Sequence, residues 1–139
     1  MKANAVWVEG YKSIVDNGRG HTVTVDLTLD QGGKDAGPTA LELAVMALAG
    51  CATTIFKIIA TKRKFNYESL QIELNAEKPK DASTVTEVKG HVEIITAGTE
   101  QEVRTILKST FSTCPVGVIF EKAGIIPTYD LTIRKTTAA

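Results

Sequence analysis

The feature that most constrains the fold is a long apolar stretch in the first half of the chain. The segment T-A-L-E at its start matches a capping box, with Thr39 as the N-cap and Glu42 reaching back to the N-cap backbone. Helical spacing then continues to residue 64, which corresponds to about seven turns at about 3.6 residues per turn. Because the first half of this segment is apolar on nearly all sides, we predict a long, central and buried helix.

Alternating apolar and polar residues predict strands on both sides of this helix. Before the long helix we predict strands at 3–11, 11–16 and 21–29, followed by a loop at 30–38. After it we predict strands at 69–77 and 87–95, helices that begin at Thr99 and Pro115, and a last strand at 125–135. The order is β-β-β-α-β-β-α-α-β, which predicts an α+β fold with antiparallel sheets around the long helix. A chain of 139 residues fits a single domain over residues 1–139.

Charge and composition exclude several classes of partner. Sixteen basic residues balance sixteen acidic ones, so the chain has no electrostatic footprint for nucleic acid or an anionic membrane. The first twelve residues lack the apolar core and cleavage site of a signal peptide. The richest apolar run, residues 43–52, is too short to span a bilayer. We therefore expect a cytoplasmic protein without nucleic-acid or membrane partners.

The chain has two cysteines, Cys51 and Cys114. In a reducing compartment such cysteines are more often reduced, catalytic or metal-binding than joined in a structural disulfide. Neither belongs to a C-x-x-C pair, so we expect no metal site. Cys51 shares a predicted helix face with small residues such as Ala44 and Ala47, which makes it either a packing residue at a close helix crossing or a reactive thiol.

Cys114 lies immediately before Pro115, which suits the first position of a helix. Cys114 is then the N-cap, where unpaired N–H groups and the helix macrodipole favour a thiolate. The alternative is a cysteine that happens to precede a proline. The spacing of the two cysteines does not show whether they meet in the folded chain.

Three motifs together resemble a known family. The segments are G-H-T-V-T-V-D from Gly20, G-G-K-D-A-G-P-T-A-L-E-L-A-V-M-A-L-A-G-C ending at Cys51, and C-P-V-G from Cys114. They are similar to the OsmC/Ohr family of osmotically inducible and organic hydroperoxide resistance proteins, in its OsmC-like branch. The resemblance runs from about Gly20 to the C-terminal strand. It implies an intertwined homodimer, in which two cysteine-bearing helices cross between sheets and the active sites lie at the subunit interface.

The resemblance also implies roles for particular residues. By this resemblance, Cys51 corresponds to the peroxidatic cysteine, which becomes a sulfenic acid. Cys114 corresponds to the second cysteine, which condenses with that sulfenic acid to a disulfide. Family peroxidases carry an arginine near the thiolate, and Arg19 is the candidate here, with a solvated turn arginine as the alternative. The family glutamate that holds this arginine is replaced by Leu41. The neighbouring Glu42 is expected to be structural, since it belongs to the capping box.

These observations predict a thiol-dependent peroxidase that reduces organic hydroperoxides and is itself reduced by an external dithiol. The apolar surroundings of Cys51 favour alkyl or lipid peroxides, because burying an alkyl group in an apolar pocket is favourable. No flavin, haem or metal motif is found, so no cofactor is expected. Two alternatives stay open: a non-catalytic dimer that binds a small apolar or acyl ligand, which the leucine at position 41 favours, and a dithiol stress sensor.

Overall fold

A computed structural model describes residues 1–136 and gives the predicted order of elements. The elements are β1 (Asn4–Glu9), β2 (Lys12–Asp16), β3 (Thr22–Val25), α1 (Ala40–Lys62), β4 (Ser69–Glu77), β5 (Glu87–Ile95), α2 (Glu100–Thr113), α3 (Pro115–Lys122) and β6 (Thr128–Arg134). The chain divides into two compact units, Met1–Ala44 and Val45–Ala139. The mixed α+β class is confirmed, whereas a single domain over residues 1–139 stays a prediction.

The first unit is an antiparallel sheet of three strands in the order β1-β2-β3. A turn at Gly10, whose φ of 51° suits glycine, joins β1 to β2. The prediction of a strand through residue 29 is wrong, because β3 ends at Val25 and a short 3-10 turn follows at Leu29–Gln31. The reason lies in the next residue, Asp26, whose side chain holds the loop rather than extending the strand.

Asp26 organises the loop between β3 and α1. Its carboxylate is 2% exposed and accepts hydrogen bonds from the backbone N–H groups of Leu27, Lys34 and Ala36, at 2.9, 3.0 and 3.2 Å. Burial acts to raise the pKa of Asp26, but these three N–H groups and the charge of Lys12 outweigh it and lower the pKa. The loop is therefore built around a buried carboxylate that stays ionised.

The second unit contains a sheet in the order β4-β5-β6. Strands β4 and β5 are antiparallel from Ser69 opposite Ile95 to Glu77 opposite Glu87, but β5 and β6 are parallel. The prediction of antiparallel pairing throughout is therefore wrong for this pair. The two helices α2 and α3 lie between β5 and β6, and a connection of this length can return the chain to run in the same direction.

The core of this unit lies where α1 and α2 cover the sheet. Phe56 of α1 packs with Val92 and Ile94 of β5 and with Ile106 and other residues of α2. The ring of Phe56 also meets that of Tyr67 edge to face, with the ring centroids 5.3 Å apart. The second half of α1 is thus fixed to the sheet by an apolar contact.

Helix α1 begins with the predicted capping box. The Thr39 N–H donates to Glu42 Oε2 at 2.6 Å, and the Glu42 N–H donates to Thr39 Oγ1 at 3.2 Å. The prediction that α1 is buried on nearly all sides is wrong for the single chain. Its buried residues form one stripe at i, i+4 spacing, and they are Leu48, Ala52, Phe56 and Ala60. On its other faces Met46 is 56% exposed and Ile58 is 43% exposed.

Helix α1 is long and apolar enough to cross a membrane by length and composition alone. The sequence prediction considered only the shorter apolar run at residues 43–52, which is too short to do so. Of its 18-residue apolar window, 22% is buried in the chain. Core helices of soluble proteins meet the same criterion, so this finding is weak evidence for a membrane span.

We predict that Asp26→Asn destabilises the protein in a pH-dependent way. The pKa of Asp26 in the folded chain lies below its ordinary value of 3.8, so its stabilisation is complete above that value. It is lost as the pH falls through the lower, folded pKa. Urea unfolding should therefore show a lower midpoint for the variant at pH 7 and a smaller difference from wild type below pH 3.8.

The control is Asp30→Asn, which changes an exposed carboxylate of the same loop and should stay within about 0.5 kcal/mol of wild type at both pH values. Equal destabilisation of the Asp26 and Asp30 variants at pH 7 would contradict the role given to Asp26.

Candidate functional site

Cys114 lies at the junction of two helices and caps both of them. Its N–H donates to the Thr110 carbonyl at the end of α2, at 2.9 Å. Its Sγ accepts a hydrogen bond from the Gly117 N–H at the start of α3, at 3.3 Å. Pro115 is the first residue of α3, so the predicted N-cap position of Cys114 is confirmed. The Cys114 residue is completely buried.

Cys51 lies near the middle of α1, next to the buried stripe that contains Leu48 and Ala52. Its side chain is half-buried, and both cysteines are free thiols. The Cys51 thiol lies close enough to Cys114 to affect the pKa of the Cys114 thiol. The fold thus brings together two cysteines that are far apart in the sequence, which the sequence left undecided.

The environment of Cys114 raises the pKa of its thiol. Burial is the main cause of the higher pKa, and the nearby Cys51 thiol acts in the same direction. The backbone N–H groups of Gly117 and Val116 lower the pKa but do not compensate. The prediction that the helix start acidifies Cys114 is therefore wrong, because burial of the sulfur outweighs the helix terminus. Cys114 is a protonated thiol that faces a more accessible one.

The other candidate residues lie in the first unit. Arg19 is exposed in the turn between β2 and β3, and its backbone N–H donates to Asn17 Oδ1 at 2.9 Å. It forms no ion pair with a carboxylate of Met1–Ala44. The Glu42 carboxylate accepts from the Thr39 N–H, so its structural role in the cap is confirmed. The role of Arg19 stays a prediction.

Sequence reasoning missed the part played by Gly117. Besides its hydrogen bond to Cys114, its backbone packs so closely that an added Cβ would lie 3.1 Å from the Phe111 carbonyl oxygen and 3.7 Å from Cys114 Sγ. A glycine three residues after an N-cap cysteine was the available signal. Among residues 1–136 no group of three or more His, Cys, Asp or Glu side chains is arranged to hold a metal ion.

Solved structures share this architecture. An OsmC-like protein from Mycoplasma pneumoniae superposes with a TM-score of 0.84 at 16% identity, with 95% of each chain covered. An organic hydroperoxide resistance protein OsmC from Legionella pneumophila gives a TM-score of 0.73 at 12% identity, covering 94% of this chain and 95% of the other. The predicted OsmC-like fold is confirmed by these similarities.

The sequence comparisons define the family. A sequence model of the OsmC-like proteins matches residues 32–129, and the chain belongs to this family. Protein YhfA of Escherichia coli K12 is 25% identical over 127 residues, which cover 88% of this chain and 91% of YhfA. The family includes proteins of organic hydroperoxide resistance, as the Legionella structure illustrates.

Proposed function

We propose that the protein is a thiol-dependent peroxidase that reduces organic hydroperoxides. The observation that supports this most is that a half-buried Cys51 lies close enough to a fully buried Cys114 to raise the pKa of its thiol. A sulfenic acid formed on the more accessible sulfur has a thiol beside it with which to condense. Membership of a family that includes organic hydroperoxide resistance proteins supports the same chemistry.

In the first step the Cys51 thiolate attacks the outer oxygen of the hydroperoxide. The S–O bond forms as the O–O bond breaks, and the leaving alkoxide takes up a proton and departs as an alcohol. The Cys51 sulfur is oxidised to a sulfenic acid and the peroxide is reduced. Cys51 suits this role better than Cys114, because only its side chain is partly accessible and burial holds the Cys114 thiol protonated.

In the second step Cys114 loses its proton and its sulfur attacks the sulfur of the Cys51 sulfenic acid. The disulfide forms as the S–O bond breaks, and the hydroxide that leaves is protonated to water. The N–H groups of Gly117 and Val116 act on the Cys114 sulfur in the direction that favours its anionic form. An external dithiol then reduces the disulfide by exchange and is itself oxidised.

The surroundings of Cys51 favour a peroxide with an alkyl group. Leu48 and Ala52 flank it on one side of α1 and Ile55 follows one turn later. An alkyl group bound beside Cys51 would gain about 25 cal/mol per Å² of its surface that is removed from water. A reducing compartment such as the cytoplasm would keep both thiols in their active, reduced form.

We also infer a homodimer from the surface of α1. Met46 and Ile58 are about half exposed on a helix that is apolar along most of its length. An apolar helix face of this size is typical of a surface that a second subunit covers.

The peroxidase proposal predicts an intramolecular disulfide. Treatment of the reduced protein with one equivalent of cumene hydroperoxide should join Cys51 to Cys114, as measured by mass spectrometry of non-reduced peptides. With a dithiol present, the wild type should consume the peroxide continuously, and Cys51→Ser should lower the rate by at least about a hundredfold, which corresponds to about 2.7 kcal/mol. Cys114→Ser, treated with excess peroxide in the absence of dithiol, should instead accumulate sulfinic or sulfonic acid on Cys51.

The same experiment separates the alternatives. A single disulfide that forms without sustained consumption of peroxide would indicate the dithiol sensor. A Cys51 thiol that stays free under these conditions would rule out both thiol-based functions and leave the ligand-binding dimer.

A second prediction concerns Arg19. If its guanidinium stabilises the Cys51 thiolate, Arg19→Ala should slow oxidation of Cys51 by roughly tenfold, or about 1.4 kcal/mol, while Arg19→Lys should retain part of the rate. The measurement is stopped-flow oxidation of the reduced protein. The control is Arg63→Ala, which removes another exposed arginine. Equal rates for wild type and Arg19→Ala would show that Arg19 is only a turn residue.

The dimer prediction is tested by mass. Light scattering at micromolar concentration should give about twice the chain mass of 14.9 kDa. A folded species at the mass of one chain, with α1 protected in hydrogen exchange, would contradict the inferred dimer.

A further inference from the structure

A cavity of about 470 Å³ lies between α2, α3 and the start of β6, all within the second unit. This volume falls in the range of pockets that hold small molecules. One wall is a single face of α2, formed at helical spacing by Arg104, Lys108, Phe111 and Ser112. Neither Cys51 nor Cys114 lines this cavity.

The floor of the cavity is apolar and ordered. The rings of Phe111 and Tyr129 stack with their centroids 5.2 Å apart. Ile126 and Pro127 continue the lining, and Ile126 is 72% exposed. An exposed isoleucine beside a stacked aromatic pair is an apolar surface that an alkyl chain is able to cover.

The charged residues of the lining are two bases, Arg104 and Lys108, and one acid, Glu121. Arg104 bonds Glu100 through Nε and Nη2, each at 2.7 Å. An exposed ion pair of this kind contributes only about 0–1 kcal/mol, so Arg104 is able to exchange Glu100 for another carboxylate. Lys108 forms no ion pair within the part of the chain that the structure describes. Glu121 on α3 is the carboxylate of the lining.

The phenol of Tyr129 adds a neutral donor. Burial raises the pKa of Tyr129, and the nearby positive charge of Arg104 only partly opposes this. The hydroxyl therefore keeps its proton at neutral pH and is able to donate a hydrogen bond to an anion, close to the guanidinium of Arg104.

We propose that this cavity binds a medium-chain alkyl carboxylate. Lys108 and Arg104 hold the carboxylate head with the hydroxyl of Tyr129, and the chain lies over Phe111 and Ile126. A carboxylate matches the positive charges of Arg104 and Lys108 on the cavity wall, and an alkyl tail matches the apolar floor. The site is formed within one chain and goes beyond the proposed thiol chemistry.

The test is isothermal titration of the reduced full-length protein with decanoate below its micelle concentration. We expect saturable binding of one decanoate per chain, with affinity that falls as salt is raised. Decylammonium, which has the same chain and the opposite charge, should bind at least tenfold more weakly. Lys108→Glu should also weaken decanoate binding at least tenfold, whereas Lys122→Glu, which changes an exposed lysine outside the lining, should not.

The position of the ligand is tested by filling the cavity. Ser112→Trp places an indole on an exposed position of the lining and should abolish binding. Thr113→Trp, at the exposed next residue outside the lining, should leave it unchanged. Circular dichroism should be used to check that each variant keeps its fold, and light scattering to check that it keeps the assembly of the wild type.

Three results of the titrations would overturn the proposal: no saturable binding by wild type, equal affinity for decanoate and decylammonium, or unchanged binding by Lys108→Glu and Ser112→Trp. A further outcome is that light scattering gives the assembled mass for every other variant and the mass of one chain for Ser112→Trp. That outcome would show that a second copy of the chain covers this cavity. That result would also overturn the proposal. The same titration with Cys51→Ser should match wild type, so a failure here is distinguishable from failure of the peroxidase proposal.

Discussion

The packing of one stripe of α1 determines where the candidate chemistry lies. Phe56 and Ala60 fix the second half of the helix against β5 and α2. Leu48 and Ala52 continue the same stripe on either side of Cys51. Because an α-helix is rigid over this distance, anchoring these positions also sets the position of the Cys51 sulfur. Without the stripe, nothing in the local sequence would direct Cys51 towards the junction of α2 and α3.

The difference in burial gives the two thiols different chemical properties. Sequence reasoning left two interpretations of Cys114 open, a thiol acidified by the helix start or a cysteine that merely precedes a proline. In the folded chain the loss of hydration at a completely buried sulfur is larger than the effect of two backbone N–H groups. A protonated thiol that is shielded from solvent is poorly suited to attack a peroxide, but it is well placed to trap an oxidised neighbour.

Local signals predicted most of the fold. Both capping boxes, the bounds of β4 and β5 and the proline at the start of α3 were legible, since each depends on residues adjacent in sequence. The errors of the sequence prediction concern features that depend on residues far apart in the sequence. The parallel pairing of β6 depends on the path of α2 and α3, and β3 ends early because Asp26 bonds to Lys34 and Ala36 farther along the chain. The meeting of the two cysteines likewise depends on tertiary packing.

Gly117 connects the two regions of the second unit that have functional proposals. On one side its N–H holds the Cys114 sulfur, and on the other it lines the cavity of α2, α3 and β6. An added Cβ would lie 3.1 Å from the Phe111 carbonyl oxygen, closer than side chains ordinarily approach. A larger residue would push α3 away from the end of α2 and would move both the thiol and the cavity wall. The glycine therefore allows the buried thiol and the cavity to share one thin wall.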